Sequence, residues 1–308
     1  MPRPLAKHKL VLAGLAPLAL VCILAVSWYV TASPGDLEKL APYAEKYTLT
    51  KLLDTLQASG PAPETFSFVV LGDTRNNVFV ASKIFEQAAQ EAPTLAFHTG
   101  DLIRGGTVAE YLENFLPLLE ITDPVPVFCV PGNHERGARR DFAAYKAIFG
   151  GDRFSFDYGP CRFVGFNDSE GIRVSGSDLA FLDEELGKPG AQYKFVFFHI
   201  PPAYFEEAAI GDGKARGFTW KADAFRALLA RHKVTEVFMG HIHGYTSTVL
   251  DGVRYTLSAG AGAPLSERLP EESRIYHLLV VRVSPEGLSQ ELVHLVPGSL
   301  DWARQTIY

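Results

Sequence analysis

The sequence predicts an α/β fold, and three observations carry that expectation. From residue 65 onward, short β-rich runs alternate with amphipathic stretches in a strand–loop–helix rhythm. After residue 245 the helical stretches give out and only strand-like segments remain, adding a late antiparallel half to a βαβ-type one. Several of the strands stop on a polar donor (Asp, Asn or His), at the strand ends where open α/β sheets gather their ligands. An apolar content of 47%, punctuated by 27 Gly and 20 Pro, fits a globular core and not a disordered chain.

Residues 10–30 form an uncharged apolar run of 21 residues. As a helix rising about 1.5 Å per residue it would be about 30 Å long, the thickness of a bilayer core. Arg3, Lys7 and Lys9 precede it with no acidic residue among them, which keeps the N-terminus cytoplasmic, and Trp28 and Tyr29 stand where interfacial aromatics anchor. Residues 1–32 are therefore expected to be an N-terminal transmembrane helix; the rival is a signal peptide cleaved after Ala32. Either way the body is expected outside the cytoplasm, periplasmic or extracellular, anchored to the membrane or secreted.

Residues 33–64 read as a helical spacer, a stalk or a docking helix. Leu37, Leu40, Tyr43 and Tyr47 fall near helical spacing, and Gly60-Pro61-Ala62-Pro63 ends the segment. The domain proper is expected at 65–298, followed by a tail at 299–308. Its strand candidates are 66–71, 95–98, 125–130, 154–158, 162–167, 193–199 and 237–239. Its helix candidates are 78–91, 107–119, 138–149, 177–186 and 221–232. Asp251-Gly252 and Pro285-Glu286-Gly287 are turn signals between the late strands.

The net charge of −6, with the N-terminal segment basic and the body more acidic still, disfavours binding along a nucleic-acid backbone and suits a bound divalent cation. Three cysteines do not make a disulfide scaffold. Cys22 lies in the apolar run; Cys129 and Cys161 read as buried thiols, with a bridge between them as the alternative.

The donors arrive as Gly72-Asp73, Gly100-Asp101, Gly132-Asn133-His134-Glu135, His199 and Gly240-His241-Ile242-His243. Each alone has an ordinary reading as a turn or a satisfied histidine. The His241/His243 pair says more, because alternate residues of an extended segment point the same way. Five strand ends delivering oxygen and nitrogen donors in this order point to one site.

Together these motifs resemble the calcineurin-like metallophosphoesterase superfamily, over about residues 65–283. The resemblance implies a four-layer α/β/β/α sandwich and a dinuclear centre of two divalent metal ions, with manganese, iron or zinc suited to the mixed donors. It implies that Asp101 bridges the ions, that Asn133, His199 and His241 complete one shell, and that Asp73 and His243 hold the other ion. His134 would stabilise the transition state or protonate the leaving group, and Glu135 would orient local structure. The Leu257–Leu265 stretch looks like a glycine-rich segment common in exported members.

One position departs from the pattern. Arg75 stands where the family places a histidine, and a guanidinium has no lone pair to give a metal. Nor does the chain match purple acid phosphatases, where a tyrosine three residues after the second aspartate recovers a ligand; Arg104 stands there. The expectation is an active phosphoesterase in which Arg75 or Arg104 grips the substrate phosphate. The alternative is a non-catalytic module with an incomplete first metal site. The insert at 202–220 reads as a lid offering Tyr204, Lys214 and Arg216, or as a solvated loop. A small-molecule or lipid-linked phosphoester is the expected substrate.

Overall fold

The protein is described from a computed structural model, which covers residues 34–308. The expected membrane helix at residues 10–30 lies outside the described residues. Among those described, no helix is long and apolar enough to cross a membrane.

Twelve described strands run in chain order as β1 (Phe66–Leu71), β2 (Leu95–His98), β3 (Val127–Cys129), β4 (Phe154–Tyr158), β5 (Cys161–Gly165), β6 (Tyr193–Phe197), β7 (Glu236–Met239), β8 (Tyr245–Leu250), β9 (Val253–Ser258), β10 (His277–Ser284), β11 (Gly287–Leu295) and β12 (Trp302–Thr306). They make two six-stranded sheets, ordered β12-β11-β10-β1-β2-β3 and β4-β5-β6-β7-β9-β8. In the first, β1, β2 and β3 are parallel and β10 pairs antiparallel with β1, Phe66 opposite Val283. In the second, β5, β6, β7 and β9 are parallel, with β4 and β8 as antiparallel edges. The late strands thus form no separate unit. Both expected turns are present, at Asp251-Gly252 and before Gly287, but the strands they join are shared between the sheets.

The period-two pattern of β6 shows why the sheets stack. Phe195 and Phe197 face the opposite sheet, while Val196 and Phe198 face a helical layer. Between the sheets, the Phe97 and Phe197 rings stack with centroids 4.0 Å apart, and Phe68 meets Phe163 and Phe195 edge-on at 5.3 and 5.0 Å. Burying each of these rings contributes about 2–3 kcal/mol, and each favourable ring pair about 1 kcal/mol more. Helices Val78–Gln90 and Leu116–Ile121 cover the first sheet through Ile84, Phe85 and Leu119; Gly176–Gly187 and Ala222–Arg231 cover the second through Leu182, Phe225 and Leu229. The expected four layers are all there.

Three expectations need correction. Of the two readings of the spacer, the docking helix holds and the stalk does not: within 34–64, Leu40, Tyr47, Leu52 and Leu56 are buried in the same core as the first sheet. The stretch 299–308 is no tail, because Trp302–Thr306 pairs along β11 and the Tyr308 hydroxyl donates to buried Glu236 at 2.8 Å. The helix expected from 138 starts at Ala143, after Phe142 adopts a left-handed φ of 57°. Cys129 and Cys161 are both free and buried, in β3 of one sheet and β5 of the other.

Candidate metal centre

Five strands of the two sheets, β1, β2 and β3 from one and β6 and β7 from the other, release their polar residues at one edge of the sandwich. Asp73 follows β1, Asp101 follows β2, Asn133 and His134 follow β3, His199 follows β6, and His241 and His243 follow β7. Three of these donors themselves carry left-handed backbone, with φ of 64° at Asp73, 55° at Asp101 and 76° at His241. That conformation is uncommon for residues with a side chain and collects at functional sites.

The preceding glycines serve close approach more than turning. A Cβ on Gly132 would stand 2.3 Å from Asp101 Oδ1, and one on Gly240 would stand 2.5 Å from Asp73 Oδ2.

The centre is built around His199, which is fully buried. Its Nδ1 donates to the Thr99 carbonyl at 2.9 Å, so the proton of a neutral ring sits there and Nε2 presents a lone pair. Asp101 Oδ1 and Asn133 Oδ1 each lie 3.2 Å from that Nε2. Asp73, Asp101 and His199 offer ligand atoms within 4.8 Å of one another. With the His199 ring neutral, Asp101 Oδ1, Asn133 Oδ1 and His199 Nε2 would face one point with no donor between them, an arrangement a divalent ion fits. His241 joins from the side, its ring centroid 5.2 Å from that of His199 and nearly perpendicular to it. Its backbone N–H donates to both Asp73 oxygens, at 3.1 and 3.2 Å. The Nε2 of His243 lies 3.5 Å from Asp73 Oδ1, and its Nδ1 donates to the Pro264 carbonyl at 2.7 Å.

His134 stands beside this group. Its backbone N–H donates to Asp101 Oδ1 at 3.1 Å, its Nε2 is 3.8 Å from Asp101 Oδ2, and its Nδ1 bonds the Arg104 carbonyl. Arg104 therefore meets the site through its backbone, and its side chain is exposed. Arg75 is half-buried, with Nη1 3.5 Å from His243 Nε2.

Without a metal, the charges settle accordingly. Burial alone would depress the His199 imidazole, but Asp101, Asp73 and Asp168 lift it to about 10. Burial and the His199 charge push His241 down to about 3. Burial would raise the Asp101 carboxyl, yet His199, His134 and His241 hold it well below the usual range. At neutral pH the metal-free site thus carries a proton on His199 Nε2, and a metal must displace it. Metal binding is expected to release at least one proton, so apparent affinity should rise about tenfold per pH unit from pH 6 to 8. Calorimetry in buffers of different ionisation enthalpy measures that release; a pH-independent affinity would contradict it.

Two supporting carboxylates complete the cradle. Glu135 is buried and accepts backbone N–H groups from Gly132 (2.6 Å), Asp101 (2.8 Å) and Ile103 (3.2 Å), so it orients the loops as expected and is no ligand. Asp168 was not foreseen. It is fully buried after β5 and accepts the N–H groups of His199 at 3.2 Å and Ile200 at 2.9 Å. Its signal is the same strand-end rule, since Phe166-Asn167-Asp168 closes a strand as Gly72-Asp73 does.

The glycine-rich segment lies against the Asp73 loop, where Ala261 and Ala263 donate to the carbonyls of Gly72 (2.8 Å) and Asp73 (2.7 Å). The insert is neither a loose loop nor a free lid. It holds a helix, Ala203–Ala209, and Arg268 ties it down through Glu206 at 2.7 Å and Asp212 at 2.8 Å. Tyr204 is occupied with the Tyr255 hydroxyl at 3.1 Å, while Lys214 and Arg216 are exposed.

The sequence profile of the calcineurin-like phosphoesterases matches residues 66–245. No curated protein matches the chain in sequence. Among solved structures the chain is similar to purple acid phosphatase PPD1 from yellow lupin (Lupinus luteus) seeds, with a TM-score of 0.62 and 16% identity over 76% of this chain and 52% of that one. The chain therefore spans about half the length of that phosphatase. It is similar to PhoD, with a TM-score of 0.61 and 11% identity over 80% of this chain and 69% of that one. It is also similar to GAP50, the anchor in the inner membrane complex of Plasmodium, with a TM-score of 0.58 and 15% identity over 80% and 90%. At such identities the likeness is one of fold, which does not carry function with it. The profile is the stronger finding, since it covers more than half of the chain and includes every strand end that feeds the cluster: the chain belongs to the calcineurin-like phosphoesterase family.

Proposed function

We propose that the chain is a metal-dependent phosphoester hydrolase. The observation that carries this reading is the convergence of Asp101 Oδ1, Asn133 Oδ1 and His199 Nε2 on one buried point, with His134 beside it. Asp101, Asn133, His199 and His241 would hold one divalent ion, while Asp73 and His243 would hold a second ion were the histidine at 75 present. A divalent ion there supplies Lewis acidity towards a phosphoryl oxygen and acidifies water to near neutrality.

The side chains around it do the rest. Water adds to phosphorus and gives up a proton to solvent, the ester P–O bond breaks, and the departing oxygen takes a proton. The products are an alcohol and a phosphate. His134 is placed to supply that last proton. Its Nδ1 is fixed on the Arg104 carbonyl, which leaves Nε2 as the nitrogen that exchanges. His134→Gln keeps the backbone bond to Asp101 and is expected to lower kcat about 10²-fold or more on alkyl phosphates. The loss should be much smaller on p-nitrophenyl esters, whose leaving group needs no acid, with metal content unchanged. Equal losses on both substrates would remove the proton-donor role.

The apolar run at residues 10–30 supports a membrane-anchored domain outside the cytoplasm. Leu40 is already buried in the sandwich core, so at most ten residues separate the run from the domain. At about 3.5 Å per extended residue, the domain would lie within about 35 Å of the membrane surface. A lipid-linked or other envelope phosphoester is the substrate class this favours.

The test is hydrolysis of a panel of mono- and diesters, lipid-linked ones included, by the full-length chain reloaded with Mn²⁺, Fe²⁺ or Zn²⁺. Turnover of at least one ester is expected. Metal-loaded protein inert towards all of them would leave the non-catalytic binding module as the better reading.

A further inference from the structure

Arg75 is held firmly. Its backbone N–H donates to the Asp101 carbonyl at 3.2 Å with a left-handed φ of 43°, and the next turn is closed by Asn77 N–H on the Thr74 carbonyl at 3.1 Å. The Asn77 side chain in turn donates to the Gly262 carbonyl at 2.6 Å. This is not the setting of a solvated surface arginine.

The guanidinium is aimed at the nitrogen a first metal ion would need. His243 donates from Nδ1 to Pro264, so its Nε2 has a single lone pair to give. Arg75 Nη1 stands 3.5 Å from that atom, as does Asp73 Oδ1. A lone pair turned to the guanidinium would not be free to ligate a metal. Displacing the guanidinium would leave a divalent ion beside a fixed like charge, with only Asp73 and the shared Asp101 as carboxylates. Arg75 Nε is buried without a hydrogen-bond partner, and no carboxylate lies within ion-pair distance of the side chain among the described residues. Among the described residues its Nη2 carries no hydrogen bond and is left for an incoming anion.

We infer that the Arg75 guanidinium replaces the first metal ion: the centre binds one divalent ion per chain, at Asp101, Asn133, His199 and His241, and Arg75 serves as the second positive charge for the substrate phosphate. This rests on the phosphoester reading for the phosphate role and on the ligand geometry alone for the metal count. Arginine suits the task because its charge is permanent and its free terminal nitrogen can donate to a phosphate oxygen.

The experiment counts metal on the full-length chain, stripped and reloaded with Mn²⁺, by equilibrium dialysis and elemental analysis, with electron paramagnetic resonance as a second readout. The expected wild-type result is one Mn²⁺ per chain with an uncoupled spectrum. Arg75→His should bind two and show exchange coupling. Arg75→Ala should still bind one tightly held ion while its affinity for inorganic phosphate falls about tenfold or more. Two tightly bound ions in the wild type would overturn the inference, and that count stands even if the histidine variant fails to fold. Unchanged phosphate affinity in Arg75→Ala would overturn the phosphate role. A chain that binds one ion yet hydrolyses no ester would refute the proposed function and leave the metal count standing.

Discussion

Asp101→Asn is expected to strip the centre of metal and lower kcat/KM by about 10³-fold or more, equivalent to about 4 kcal/mol of transition-state stabilisation. Asp101 Oδ1 accepts from the His134 backbone and faces His199 Nε2, while its Oδ2 faces His134 Nε2. The substitution removes the charge that would hold the ion and, in its absence, the His199 proton. Proton titration of His199 in metal-free protein provides a second readout. The wild-type ring should remain protonated to about pH 10, and the variant ring should lose its proton below that, because the largest of the charges that oppose burial is gone while Asp73 and Asp168 remain. Retained metal with wild-type turnover would remove Asp101 from the centre.

Glu135→Ala should be the most damaging change to stability among the groups around the site. One buried carboxylate accepts three backbone N–H groups, from Asp101, Gly132 and Ile103, and so joins the loops after β2 and β3. Alanine would orphan all three in a place closed to bulk water. At about 1–3 kcal/mol for each unsatisfied group, the expected loss is about 3–5 kcal/mol, or about 10 °C in Tm for a domain of this size. Since these loops carry Asp101 and Asn133, metal affinity should also fall, by about 10- to 100-fold. Glu135→Gln, which keeps an oxygen for two of the three donors, should lie between. Calorimetric melting of metal-free protein isolates the structural part; an unchanged Tm in the alanine variant would rule out the stapling role.

Much of the centre was legible because its chemistry is local. A strand that ends on a polar donor writes its place into consecutive residues, and this rule singles out the seven residues from Asp73 to His243 that the fold brings to one edge, Asp73, Asp101 and His199 closest together. Asp168 obeys the same rule and was passed over, since its carboxylate acts on the backbone of His199 and bears no family motif. The position of Arg75 was visible, but not that it points at His243, which depends on a contact between β1 and β7 loops far apart in sequence. Misreadings of the fold follow the same division. The β12 residues are mostly exposed and polar, as an edge strand tolerates, so they lack the alternation that marks a buried strand. The reading of Cys129 and Cys161 as buried thiols, by contrast, holds, their strands lying in opposite sheets. Residues 33–64 showed a helical stripe, and only the assembled core shows what that stripe covers.

The insertion of the second sheet between the two halves of the first also bears on how the chain is made. β1 lies in the middle of its sheet, yet one of its two neighbours, β10, comes from more than two hundred residues further along. Until that partner leaves the ribosome, Val69, Val70 and Leu71 remain an apolar strand with one open edge, the kind that pairs with other chains. The nascent first half therefore has no complete sheet to fold into. Closure waits for the last strands, and pairings so distant in sequence are slow to form. Nascent chains are expected to need protection throughout synthesis, and a ribosome stalled before β10 would expose a sticky intermediate rather than a smaller folded domain.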